Sequence, residues 1–340
     1  MISRVRHMAH YLVAVALYYS GVLALRGWLR RRASHRPEVA VLCLHRILTA
    51  PQAAQTCSEP AMAVMLPTFL ELLRQLKKQF QVLSLADLVC GNLPRGPRPN
   101  CLLTFDDAWL DTFKNAYPAL REAGLRATVF VPTGLIGSGS FFWVERLNSL
   151  WRTCGEDHEA LCCALGKELG LPPVANVEEA IAALKRVSAA RRECIVGALS
   201  KEFSNGRQPG ATDRFMDWEQ LLAMSPVFEV GSHTVHHVLL DFEEEATANQ
   251  ELLASRATLQ EKIGREVRAL AYPSGSFNEQ VCGWAAEAGY DCAFTIRPGT
   301  YRAGDNPLTV PRCLLQEGNI TNPWGYFSPA MFHLRLTGWR

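Results

Sequence analysis

Residues 100–107 read Asn-Cys-Leu-Leu-Thr-Phe-Asp-Asp. A run this apolar is expected of a strand buried on both faces, as in a parallel sheet covered by helices. It ends on two adjacent carboxylates, which burial penalises and which repel each other. A metal ion removes that objection. An acidic helix N-terminus, where carboxylates are favoured, is the alternative. Folds of alternating strand and helix carry reactive groups at the C-terminal ends of their strands, and Asp106 and Asp107 stand at such an end.

The same rhythm repeats outward from this strand. Residues 39–45 (VAVLCLH) and 127–131 (ATVFV) are further apolar runs. Segments 66–79 and 110–123 have helical periodicity, the second closed by Gly124. A short strand is expected at 80–83. Beyond residue 214 the spacing predicts a helix over 218–224, a strand over 228–232 and a long helix over 243–263 that stops at Gly264. Strand 269–272, helix 278–288 and strands 291–296 and 308–313 follow. This alternation predicts an α/β fold with a parallel sheet or barrel. Between 137 and 214 strand-like runs are scarce and 178–199 reads as helical throughout, so a helical insertion is expected inside a barrel domain of residues 38–340.

The 340 residues carry 35 basic and 33 acidic side chains, a net charge of +2. No concentrated basic face is legible, which argues against a nucleic-acid partner. Apolar residues concentrate at 11–25 (YLVAVALYYSGVLAL), with Arg26, Arg30, Arg31, Arg32 and Arg36 behind them. Residues 1–32 are expected to be an uncleaved membrane anchor, a short span or an interfacial helix; a buried core helix is the alternative. Arginines on the C-terminal side keep the remaining chain on the cytoplasmic face of the inner membrane. The eleven cysteines include no CxxC pair, and many sit in apolar stretches, as small buried hydrophobes do.

A second segment with chemistry follows strand 228–232: Gly231-Ser-His-Thr-Val-His-His237. On a helical turn His233 and His237 share a face and can ligate one ion, while His236 points elsewhere on that turn, in support. With Asp107 they leave open coordination positions, as a catalytic metal requires. Asp106 beside the ion can take a proton from the attacking water. An amide nitrogen also needs a general acid to leave. His45, ending the first core strand, is placed for that role; a hydrogen-bonded strand-end histidine is the alternative.

TFDD followed by HTVHH resembles the polysaccharide deacetylase family, the NodB-homology or carbohydrate esterase 4 group, over roughly residues 38–315. The resemblance implies a distorted (β/α) barrel, Asp106 as base, and Asp107, His233 and His237 as ligands of a divalent metal. Zinc suits that donor set, and nickel, cobalt, iron or manganese are accepted by similar ones. It also implies a hydrogen bond from Thr234 within the metal loop. A third family block is visible at 270–275 (LAYPSG), but Ala271 stands near the place of the family's arginine. Arg312, in VPRCLL, is the candidate to orient the base in its stead. The family's terminal Leu-x-His strand is absent after Pro311. Leu44-His45-Arg46 at the start resembles instead the circularly permuted exopolysaccharide deacetylase branch, with His333 as a fallback acid.

The expected activity is N-deacetylation of an amino sugar in a bacterial glycan or its polyprenyl-linked precursor, with membrane lipid contacted by the N-terminal helix. Deformylation of a lipid-linked amino sugar uses the same site. A catalytically silent carbohydrate-binding protein and a membrane-associated scaffold are the non-enzymatic alternatives.

Overall fold

The computed structural model describes residues 2–204 and 208–338. Eleven strands occur among these residues: β1 (Glu38–Leu44), β2 (Arg46–Leu48), β3 (Ala63–Met65), β4 (Gln81–Val82), β5 (Asn100–Phe105), β6 (Ala127–Val131), β7 (Phe228–Ser232), β8 (Ala269–Ala271), β9 (Cys292–Phe294), β10 (Tyr301–Arg302) and β11 (Cys313–Leu314). The main sheet runs β10-β1-β5-β6-β7-β8-β9, with β4 on β5 and β11 on β1. Every pair is parallel except β1 with β10. Phe294 of β9 bridges to Val310, and Cys313 pairs with Leu42 of β1. The sheet therefore curls until its two edges are joined through residues 310–314.

Buried helices and strands supply the driving force. The helix Leu66–Gln79 starts with proline in its first turn, ends in Lys77 and Lys78, and buries Phe69, Leu72, Leu73 and Leu76. Each such side chain contributes roughly 1.5–3 kcal/mol relative to exposure. Helix Tyr117–Ala123 ends at Gly124 with φ 67°, and helix Glu245–Ile263 at Gly264 with φ 64°. Glycine adopts that left-handed stop without a Cβ penalty.

Several expectations are corrected. Residues 178–199 are not one helix: Val177–Leu184 and Ala189–Phe203 are separate, the second capped by the Ser188 hydroxyl accepting from Arg191 N–H. These two pack with helices Trp143–Thr153 and His158–Leu169 around an apolar cluster of their own, including Leu147, Leu165, Leu184 and Val196. Strand 308–313 is a 3-10 turn (Pro307–Thr309), the bridge at Val310 and then β11. Cys90, Cys163 and Cys194 are exposed rather than buried.

The apolar run 11–25 is not a single helix either. α1 (Ile2–Tyr19) and α2 (Val22–Ala33) meet at a 63° bend, where Gly21 has φ 78°. Among the described residues no single helix is long and apolar enough to cross a membrane, although the bent pair passes the test of length and composition. α1 packs along the helix Pro329–Leu336.

Candidate active site

Strand register puts the reactive residues at one rim. Leu44 is level with Phe105, Phe105 with Val129, and Val131 with Ser232. The residues that follow these ends, His45, Asp106 and His233, consequently emerge side by side. Asp106 N–H donates to Leu44 O (2.9 Å) and His233 N–H to Val131 O (3.0 Å), fixing both first steps off the sheet.

Beyond that step the backbone is strained. Among the described residues, the non-glycines at positive φ are Asp107 (74°), Ala108 (56°), Thr234 (65°), His237 (55°) and Ser274 (54°). A left-handed L-residue costs about 1–2 kcal/mol. Asp107, His237 and Ser274 line one cavity, and Ala108 and Thr234 adjoin its Asp107 and His233. The HTVHH segment is thus a loop rather than the helical turn its spacing suggests. Two left-handed residues bring the His233 and His237 rings to 4.8 Å between centroids.

Asp107 Oδ1 lies 3.4 Å from His233 Nε2 and 3.5 Å from His237 Nε2. That oxygen is buried and has no hydrogen-bond partner. His233 Nδ1 is 2.7 Å from Ala271 O, which accepts its proton and leaves the Nε2 lone pair facing Asp107. The three ligand atoms lie within 4.8 Å of one another, so these residues fit a divalent cation with open positions. Burial works against charge on Asp107, yet the neighbouring His233 and His237 rings hold its carboxyl below the usual range. Burial, reinforced by His233, pushes His237 down to about 3, which keeps it a neutral donor.

Asp106 faces a different partner. Arg312, fully buried, donates from Nη1 and Nη2 to its two carboxylate oxygens, each at 2.7 Å, and from Nε to Thr295 O. Against the cost of burial, this guanidinium keeps the Asp106 carboxyl low and ionised. His45 Nε2 is 3.9 Å from Asp106 Oδ2, and Cys43 Sγ donates to the same oxygen at 3.7 Å. Burial lowers His45 below the ordinary imidazole value.

The sequence reading missed the layer behind these groups. Trp109 Nε1–H donates to Asp107 Oδ2 at 3.1 Å, and the indole stacks on Phe215 while the Arg46 guanidinium lies 4.3 Å from its ring centroid. Arg46, with no exposed surface, donates to Asp111 (3.0 Å), Asp213 (2.7 Å) and Ser58 (2.7 Å). The Ser58 hydroxyl donates in turn to Glu145 (2.7 Å). Both ends of the helical segment, Glu145 and Asp213, are thereby tied to the residue after His45. The adjacency of Arg46 to His45, and of Trp109 and Asp111 to Asp107, was the available signal.

A cavity of ≈ 180 Å³ is lined by His45, Asp106, Asp107, His233 and His237, with Trp143, Glu145, Ile181 and Lys185 arriving from the helical segment. Thr234 hydrogen-bonds within the loop through its backbone, N–H to Ser232 Oγ at 3.3 Å, while its buried Oγ1 has no partner. His236 turns outward to Glu251 at 2.6 Å, away from the His233–His237 pair as expected. The fallback acid is the expectation that fails. His333 stacks on Phe80 and hydrogen-bonds Gln79 at 2.8 Å, away from the cavity.

The sequence profile of the family described as "Polysaccharide deacetylase" matches residues 94–162 and 168–293, more than half of the chain. YxkH of Bacillus subtilis, named for the same family, is 19% identical over 236 residues, 69% of this chain; the match spans 58% of that relative's length. Among solved structures, the Streptococcus pyogenes deacetylase PplD in complex with acetate has a TM-score of 0.57 at 19% identity, covering 86% of this chain and all of that one. IcaB of Ammonifex degensii and the BpsB deacetylase domain of Bordetella bronchiseptica each have a TM-score of 0.52 at 20% identity, covering 82% of this chain and 92% and 96% of theirs. At such identities the likeness is one of fold.

Proposed function

The chain belongs to the polysaccharide deacetylase family, and from that premise we propose that it hydrolyses the N-acetyl group of an amino sugar with a divalent cation on Asp107, His233 and His237. The observation that carries this reading is the orphaned Asp107 Oδ1 facing two imidazole nitrogens, beside a second carboxylate that is paired elsewhere. When bound, the cation supplies Lewis acidity toward water and the acyl carbonyl, and zinc suits these donors.

The remaining work falls to the chain's own side chains. Asp106, held ionised and aimed by Arg312, takes a proton from the attacking water. His45, left neutral by burial, stands a short step from Asp106, receives the proton that Asp106 took from water and passes it to the nitrogen as the C–N bond breaks, releasing acetate and the free amine. Trp109 fixes the second oxygen of Asp107, so that ligand cannot swing toward the base.

The substrate in this reading is a bacterial glycan or its polyprenyl-linked precursor. The N-terminal helices hold the enzyme at the inner membrane with the catalytic domain on the cytoplasmic face. Replacing Asp106 with Asn tests the chemistry: turnover of an N-acetylglucosamine oligomer is lost while stoichiometric metal is retained. Surviving turnover refutes the assignment of the base, and purified protein free of metal refutes the hydrolase reading.

A further inference from the structure

α1 is apolar on two sides. Its inner side packs Ala14, Val15 and Tyr18 against Ala330, Met331 and Leu334. Its outer side exposes Val5, Leu12, Val13 and Tyr19, and α2 continues with Val22, Leu25, Trp28 and Leu29. A helix that is hydrophobic all round is stable only when both sides are covered, and a contiguous apolar patch of this kind marks a contact surface.

A second element presents aromatic rings on the same flank. Trp324 and Tyr326 are 64% and 71% exposed. The turn holding them is built for that presentation: Asn322 Oδ1 accepts from the N–H of both, Asn322 N–H donates to Tyr326 O (2.7 Å), and Gly325 has φ 84°. The Trp324 ring meets Tyr11 of α1 edge-on at 5.8 Å, which joins the turn to the helix.

The charge is one-sided. Residues 1–37 contain Arg4, Arg6, Arg26, Arg30, Arg31, Arg32 and Arg36 and not one aspartate or glutamate, and of these Arg30 and Arg36 are paired with Glu38 and Asp305. Arg26, Arg30 and Arg31 line a groove of ≈ 550 Å³ beside the bend, together with Tyr18, Phe80 and His333. Tryptophan and tyrosine settle at the lipid headgroup level, and clustered arginines are drawn to anionic headgroups.

We infer that the flank formed by α1, α2 and the 321–327 turn lies on an anionic phospholipid surface without crossing it. This rests on, and sharpens, the membrane assignment made above. A crossing helix has lipid on all sides over ~30 Å, whereas α1 is covered along one side by the helix Pro329–Leu336 and ends in the 63° bend. The contact also sets the position of the catalytic rim. The turn follows helix Glu317–Ile320, which packs on the 3-10 turn Pro60–Met62, and Met62 lines the catalytic cavity. A sugar on a lipid carrier in that surface would stand close to the cavity mouth.

The test is flotation of the purified full chain with vesicles of phosphatidylcholine alone or mixed equally with phosphatidylglycerol. Binding is expected to be at least tenfold stronger to the anionic vesicles, to fall in high salt, and to drop about tenfold in Trp324→Ser/Tyr326→Ser. Hydrolysis of a soluble N-acetylated oligomer by that double variant should match the parent, so failure here is distinguishable from failure of the chemistry. Equal binding to both vesicles, or an unchanged double variant, overturns the inference. Retention of the chain in cell membranes washed with alkaline carbonate overturns it in favour of a crossing helix.

Discussion

Replacing Trp109 with Phe isolates the support given to Asp107, the proposed metal ligand. The substitution keeps an aromatic ring against Phe215, Phe142 and Arg46 but deletes the N–H that reaches Asp107 Oδ2 at 3.1 Å. A hydrogen bond to a charged acceptor contributes about 1.5–3 kcal/mol, which is roughly 10- to 150-fold in affinity. Outer-layer partners of metal ligands generally carry about 10- to 100-fold. Metal dissociation constants, measured by competition with a fluorescent chelator, should therefore weaken by one to two orders of magnitude. The smaller ring also leaves a void, so the melting temperature of metal-free protein falls; that loss is measured separately and does not depend on the ligand. A variant with reduced melting temperature and parental metal affinity would refute the claim that the indole acts through Asp107.

Glu145 is buried, and that burial raises its carboxyl from 4.5 to about 7. A carboxyl raised on folding costs stability as pH climbs past its unfolded value, and the full cost is present above its folded one. The difference of about 2.5 units corresponds to roughly 3 kcal/mol as an upper bound. Glu145→Gln should therefore match the parent in urea unfolding at pH below the unfolded value and exceed it above pH 7; a constant difference across pH would sink the argument. Arg312→Lys replaces a two-pronged contact with a point charge. Its kcat should fall at least tenfold with metal content unchanged, and the acidic limb of its pH–rate profile should move to higher pH because Asp106 is less stabilised as an anion. His236→Ala should retain full metal content, since that ring turns to Glu251 rather than to Asp107.

The barrel was legible because its core strands are short apolar runs alternating with helices, two of which stop at Gly124 and Gly264, and the candidate carboxylates Asp106 and Asp107 directly follow one of those runs. What hid was conformation that no periodicity encodes. The four-residue spacing of His233 and His237 suits a helical turn, but here Thr234 and His237 take left-handed backbone and reach the same convergence through a loop. The break between residues 184 and 189 was masked by helix-forming residues on both sides. The Arg46 network joins residues up to 167 positions apart, and sequence spacing carries no trace of such a contact. The apolar N-terminus looked like one segment because a lone Gly21 is weak punctuation in an otherwise helical run.

The five residues 310–314 both seam the curled sheet and deliver Arg312 to Asp106. A growing polypeptide emerging from the ribosome thus carries Asp106, the proposed base, for some two hundred residues before its counterion exists. Until that late segment docks, the carboxylate has every reason to stay wet and the rim to stay open. Closure of the ring and pairing of Asp106 depend on the same late residues, so a product that stops before Val310 is expected to lack both.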